Sequence, residues 1–398
     1  MNTDFATQLE ELLSETRASV IDRERFTFDR LAGRFAGSIV LFGAGGVGKL
    51  TLKGLRSAGM EPLAFADNNP ALWGTTIEGL LVLSPDDAVT KFAERACFVV
   101  TILAAEIGHP IVEITAQLNA IAPARVISVG FLAWKYPEAL LPYYYLDSPH
   151  KVIDQADDVR RGLELWADDP SRAEYVGQVR SRLWLTWDEL PLHSPDEEAY
   201  FPPDLPFVSG DDPNEIFVDC GAYDGDTVRE YMAHHGTDFA RVVALEPDPA
   251  NYELLRAYAD DLPTEVRSRV EIIQAAVGDH VGTVTFDATG DVESHMGSGE
   301  LEVRLETLDH LLKGRSPLHI KMDIEGAELS ALEGARGIIA EGKARLTVCV
   351  YHRIDDPWRL PLFIQSISGN YTFFLRRYLN GSWEDVCYAV PRGLVPPQ

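Results

Sequence analysis

Twice in this chain an apolar strand runs into a glycine-bearing turn and a helix, and is followed by a second apolar strand that ends on an acid. In the first unit Ser38-Ile-Val-Leu-Phe42 enters Gly43-Ala-Gly-Gly-Val-Gly48, and Leu63-Ala-Phe-Ala-Asp67 closes it. In the second, Phe217-Val-Asp-Cys-Gly-Ala-Tyr-Asp-Gly-Asp-Thr227 leads to Val242-Val-Ala-Leu-Glu-Pro-Asp248. Short, wholly apolar strands alternating with helices belong to open parallel sheets covered on both faces. The pattern predicts an α/β protein with two doubly wound sheets. At 398 residues the chain is also too long for one core of ordinary size. The expected divisions are an N-terminal helical segment over 1–36, a Rossmann-like domain over 37–146, a helical connector over 147–213 and a second α/β domain over 214–398.

The glycine turn of the first unit matches Gly-x-Gly-x-x-Gly in the right context, between a strand and a helix. Gly43, Gly45, Gly48 and Asp67 are its candidate ligand residues. A phosphate-binding P-loop is rejected, because Leu50 stands where a magnesium-binding hydroxyl is needed. Two readings stay open here. Either the turn holds a dinucleotide or sugar nucleotide, or the fold is retained for docking and its glycines only for a tight turn.

In the second unit, strands are expected at Ile216–Cys220, Val242–Glu246, Val270–Ala275, Leu318–Asp323 and Leu346–Tyr351. An inserted hairpin is expected near Thr283–Phe286, and a single helix over Ala327–Ala340. Tyr371–Leu375 and Asp385–Val390, joined across Asn380-Gly381, read as a terminal hairpin. Five crossover strands closed by an antiparallel pair is the class I methyltransferase topology. The charge of the turn agrees. Asp219 lies where a dinucleotide site must welcome a pyrophosphate, and a carboxylate there instead favours the ammonium and sulfonium of S-adenosyl-L-methionine.

The run Leu318-His-Ile-Lys-Met-Asp-Ile-Glu-Gly-Ala-Glu328, together with the acidic turn and Leu245-Glu-Pro-Asp248, resembles the FkbM-type methyltransferases. The resemblance spans roughly 200–391, including the lead-in Tyr200-Phe-Pro-Pro-Asp204. It implies S-adenosylmethionine-dependent transfer of a methyl group to a hydroxyl of a sugar, polysaccharide or secondary metabolite. The acceptor would then be a small molecule or a carbohydrate.

Candidate cofactor residues are Asp219, Gly221, Tyr223, Asp224, Gly225, Thr227, Glu246, Asp248 and Ala276. The glycines would admit the methionine portion, the aspartates would face its ammonium, and Glu246 would take the ribose. Thr227 and Asp248 serve equally well as helix caps. Lys321 and Asp323, two apart on one strand, share a face, and His352 ends the neighbouring strand roughly 5 Å away. These three are the candidate catalytic residues, with His352 as general base and Asp323 orienting it or the substrate. Asp323, Glu325 and Glu328, with His352, could alternatively hold a divalent cation, although Glu328 also suits a helix start. His295 could cover the acceptor, and Arg376 and Arg377 could meet an acidic one; surface charge is the plainer account of each.

A net charge of −27 argues against a nucleic-acid partner bound through a broad basic face. Cys97, Cys220, Cys349 and Cys387 lie in apolar runs without metal-ligand spacing, which suggests buried thiols and a cytoplasmic setting. No stretch is long and apolar enough to span a bilayer, and none reads as a secretion signal. The amphipathic first helix would pack on the protein or on a second copy in a homo-oligomer. Two other function classes stay in play: an NAD-dependent oxidoreductase using Gly43–Gly48, and a non-catalytic nucleotide-sugar-binding protein.

Overall fold

The computed structural model describes residues 4–103, 108–191, 199–209, 212–287, 295–296 and 301–396. Helices Phe5–Leu13 and Arg17–Ala32, capped by Asp4 and Thr16, open the chain. A six-stranded sheet follows, built from β1 (Ile39–Phe42), β2 (Ala64–Ala66), β3 (Thr76–Ile77), β4 (Leu80–Leu83), β5 (Cys97–Val100) and β6 (Arg125–Ser128). Its order is β3-β4-β2-β1-β5-β6, parallel except for the β3–β4 pair. All of Ile39, Val40, Leu41 and Phe42 are buried, as a central parallel strand requires.

The second half holds β7 (Ile216–Cys220), β8 (Arg241–Leu245), β9 (Val270–Ile273), β10 (Ala276–Val277), β11 (Gly282–Asp287), β12 (His295–Met296) and β13 (Leu301–Glu306). After them come β14 (Leu318–Met322), β15 (Arg345–Cys349), β16 (Tyr371–Arg377) and β17 (Asp385–Pro391). The large sheet runs β16-β17-β15-β14-β7-β8-β9; only the contacts of β17 with β15 and β16 are antiparallel. This is the mixed α/β order expected from the terminal hairpin. The inserted hairpin is part of a separate sheet, β10-β13-β11-β12, that sits beside it. Of His295 only its backbone pairing with Asp287 is described.

One expectation needs correction. The helix expected over Ala327–Ala340 is two pieces, Glu328–Glu333 and Arg336–Glu341. A Cβ on Gly334 would lie 2.0 Å from the Gly278 carbonyl oxygen, so the chain turns there; the Asp309 carboxylate then accepts from Gly337 N and Ile338 N. The terminal hairpin is joined across Asn380-Gly381 as expected, within the loop 378–384.

The halves share apolar contacts. One buried cluster runs from Phe28 and Leu41 through Tyr145 to Phe217 and Tyr388. Connector helix Asp169–Trp184 packs on β16 of the large sheet and Ala156–Leu165 on the helix Asp356–Ile367; between them Ala167 N donates to Phe373 O. Arg376 is held by Asp168 and Asp204, and Arg377 by Glu174, so both arginines join connector to sheet instead of meeting a substrate.

Candidate active site

The carboxyl ends of β7, β8, β14 and β15 converge with the 378–384 loop around a cavity of about 420 Å3. Chain direction explains the placement: parallel strands deliver the side chains at their ends to one edge of the sheet. Gly221, at the end of β7, has φ +80°, and a Cβ on it would lie 1.9 Å from the Asp323 carbonyl oxygen. Gly225, at φ +89°, is kept small by the Tyr258 ring, 2.7 Å from where its Cβ would be. Approach of backbone and helix therefore explains both glycines. Gly221 borders the cavity and Gly225 does not.

Glu246 ends β8 and opens into the cavity. Its Oε2 accepts from Tyr223 N at 2.9 Å and its Oε1 from Asp248 N at 2.8 Å. Each oxygen keeps a lone pair for a second donor. Burial raises this carboxyl to about 7, against the hydrogen bonds from Asp248 and Tyr223. Asp248 itself is a cap, as its carboxylate accepts from Ala250 N and Asn251 N at the start of helix Pro249–Asp260. Tyr223, Thr227 and Ala276 line the cavity; Asp224 turns outward to Arg229, at 2.6 Å. Asp226 takes the place expected for Asp224. Strand and helix periodicity says nothing about which acid of an irregular turn points inward.

Asp219 also departs from expectation. It is fully buried, pairs with Lys321 Nζ at 3.0 Å, and does not border the cavity. Burial raises its carboxyl to about 6 even though Lys321 opposes the shift. Lys321 also donates to Gly221 O at 2.8 Å. Burial works against the Lys321 charge, but Asp219, Asp323 and Asp226 outweigh it and keep the ammonium charged. Lysine and aspartate thus form an internal pair that holds β14 to the β7 turn.

His352 is gripped from both sides of its ring. Nε2 lies 3.2 Å from Asp323 and 3.8 Å from Glu325, while Nδ1 lies 3.0 Å from Glu328. Burial disfavours its charge, yet Glu328 and Asp323 prevail and raise its pKa well above the usual histidine value. An imidazolium has no lone pair with which to take a proton, so His352 is not placed to be a general base. It borders a second hollow, of about 590 Å3, lined also by Leu50, Tyr143, Lys151 and Arg353. Tyr144 and Glu325 border both spaces.

Asp323 lines the first cavity and accepts from Tyr200 Oη at 2.9 Å; the single Tyr351 hydroxyl lies between Asp323, at 3.4 Å, and Glu384, at 3.3 Å. Burial would raise its pKa, but His352, Lys321 and Tyr200 hold it below the usual carboxylate range. The cation triad read from Asp323, Glu325 and Glu328 does not converge, since the first two face Nε2 and the third faces Nδ1. The groupings of three potential ligand atoms among the described residues are Asp323–Glu325–His352, Glu328–His352–Asp356 and Asp323–Cys349–Glu384. The first two are centred on a histidine that already supplies the positive charge.

Sequence reasoning missed three further lining residues. Tyr144 enters from the first half at φ +49°, with its hydroxyl 2.9 Å from Glu325 and its ring 4.8 Å from Trp383. Trp383 and Glu384 belong to the hairpin loop. No linear motif marks them, though the unusual length of that loop could have. In all, five carboxylates (Asp226, Glu246, Asp323, Glu325, Glu384) and one ammonium (Lys321) line the cavity.

The first half shows the same local plan. Asp67 accepts from Ala44 N and Asn69 N, both at 2.8 Å, as Glu246 does from its own turn. A Cβ on Gly48 would meet Gly43 O at 2.1 Å, so the turn itself accounts for that glycine; Gly45 is exposed, with nothing near.

Residues 219–381 match the model of the methyltransferase FkbM domain. By that match the second α/β half is similar to FkbM methyltransferases. The full fold, both halves included, is shared with the methyltransferase FkbM from Methylobacillus flagellatus KT, at 22% identity, a TM-score of 0.73 and 98% coverage of each chain. Looser similarity links this chain to a precorrin-6y C5,15-methyltransferase from Geobacter metallireducens (12% identity, TM-score 0.28, 46% of this chain and 82% of that one). An O-methyltransferase from neocarzinostatin biosynthesis is comparably distant (11%, TM-score 0.30, 70% and 84%). No curated protein matches the chain. Among the described residues, no helix is long and apolar enough to cross a membrane.

Proposed function

We propose that this protein is an S-adenosylmethionine-dependent O-methyltransferase acting on a hydroxyl of an uncharged small molecule or carbohydrate. The observation that carries the reading is the charge of the cavity: five carboxylates against one ammonium. Such a lining attracts a cationic sulfonium donor and repels a pyrophosphate. This corrects the initial electrostatic reading in detail, because Asp219 is neutralised by Lys321, yet keeps its sign. In this reading Glu246 takes the ribose hydroxyls, Ala276 and Val277 an apolar ring, and Asp226 and Thr227 the polar end; all five line the cavity. When bound, S-adenosylmethionine supplies an electrophilic methyl group on positively charged sulfur.

On the other side, Tyr144, Tyr351 and Trp383 offer ring faces beside the acids Asp323, Glu325 and Glu384. Aromatic faces next to carboxylate acceptors suit a sugar or another polyhydroxylated ring, and the acid excess disfavours an anionic acceptor. The chain's own part is to hold that hydroxyl, exclude water and receive its proton. No metal enters this reading.

Calorimetry tests it. S-adenosylhomocysteine should bind in the low-micromolar range or tighter, NADH should not compete, and Glu246→Ala should weaken the binding. NADH bound instead at the Gly43–Gly48 turn, with no S-adenosylhomocysteine bound, would favour the oxidoreductase.

A further inference from the structure

Transfer to a hydroxyl needs a group that can take its proton, and His352, already protonated, is not that group. The cavity offers five carboxylates, and their partners separate them. Asp323 is held by Tyr200 and His352, which lowers its basicity. Glu325 accepts from Tyr144 and faces the imidazolium. Glu246 is tied to two backbone amides, and Asp226 accepts from Thr227 N at the start of a helix. Glu384 differs: among the described residues its one donor is the Tyr351 hydroxyl, at 3.3 Å.

The backbone at Glu384 supports a site role. Its φ is +55°, in the left-handed region that a non-glycine residue enters only at a cost. The conformation is pinned, since Glu384 O accepts from Tyr378 N and Asp385 O from Val350 N. The result is an acid carried into the cavity on the end of β17, beside the Trp383 ring.

We propose that Glu384 is the general base of methyl transfer. The inference rests on the O-methyltransferase reading above. The acceptor's O–H bond breaks and its proton passes to a Glu384 carboxylate oxygen. The freed pair on oxygen forms the new C–O bond to the methyl carbon, as the C–S pair returns to sulfur and leaves a neutral thioether. Glu384 then releases its proton to water. Burial lifts this carboxyl to about 7, a basicity suited to accepting a proton near neutrality.

The test uses the full-length protein, S-adenosylmethionine, and glycerol or methyl α-D-glucopyranoside as simple hydroxyl acceptors, with methylated product read by mass spectrometry. Glu384→Gln should lower kcat by about 10²–10⁴-fold while S-adenosylhomocysteine affinity stays at the wild-type value. Glu384→Ala should regain turnover when formate is added, a response that a structural role would not produce. Wild-type turnover in Glu384→Gln, or formate rescue of Glu325→Ala in place of Glu384→Ala, would overturn the assignment and leave the function standing. A wild-type protein that binds S-adenosylhomocysteine but methylates neither acceptor would count against hydroxyl transfer itself, and the base would fall with it.

Discussion

A buried lysine beside a buried aspartate stabilises only as a pair. With Lys321 replaced by Met, Asp219 keeps its desolvation penalty and loses its counter-ion, at a cost of about 3–5 kcal/mol. The expected outcome is a large drop in urea midpoint for Lys321→Met, partly recovered in the double variant with Asp219→Asn. Equal stability of single and double variants would show that the pair is not coupled. His352 makes the complementary pH prediction. Its folded pKa lies above its unfolded value of roughly 6.5, so the stability it contributes is fully present below that pH and disappears as pH rises through the folded pKa. The gap in melting temperature between wild type and His352→Gln should be widest near pH 6 and narrow on the alkaline side. A gap that widens with pH would contradict the imidazolium assignment.

Among the elements, two turns carry the site, and their glycines answer to different neighbours. Gly221→Ala would press a methyl onto the Asp323 carbonyl and force β7 and β14 apart where the cavity begins. Both stability and S-adenosylhomocysteine affinity should fall, the latter by about tenfold or more, if one hydrogen bond to a charged group is lost. Gly225→Ala would press on Tyr258 instead, so stability should fall while affinity is kept. Calorimetry on the two variants checks this, and loss of affinity in both would mean that the turn moves as a unit. How an element ends was the hardest thing to read. Glu328–Glu333 and Arg336–Glu341 look like one helix in sequence because the break is imposed by Gly278 and Asp309, which come from elsewhere in the fold.

For the whole molecule, the decisive contact is between halves. Tyr144 reaches the cavity from the first half, and Phe28, Tyr145, Phe217 and Tyr388 share one apolar cluster. Residues 214–398 produced alone would expose part of that cluster, since burial of large aromatic side chains dominates core energetics. The isolated half should show weakened near-ultraviolet circular dichroism and a non-cooperative melt. A cooperative melt with full S-adenosylhomocysteine affinity would show that the halves are independent.

Much of this architecture was legible in the residue order. Runs such as Ile39–Phe42 and Val242–Leu245 are apolar at every position, as a strand covered on both faces requires, and the two strands flanking Asn380-Gly381 announce the terminal hairpin. Glu246 and Asp323 were legible as well, because strand ends in a parallel sheet share one edge. The tertiary structure alone decided what each acid faces. Asp219 meets Lys321, Asp224 meets Arg229, His352 is enclosed by carboxylates, and Tyr144 and Glu384 arrive from distant segments. The reason is physical: a backbone pattern follows from local sterics and the burial of one face, whereas charge state follows from distances between residues far apart in the chain.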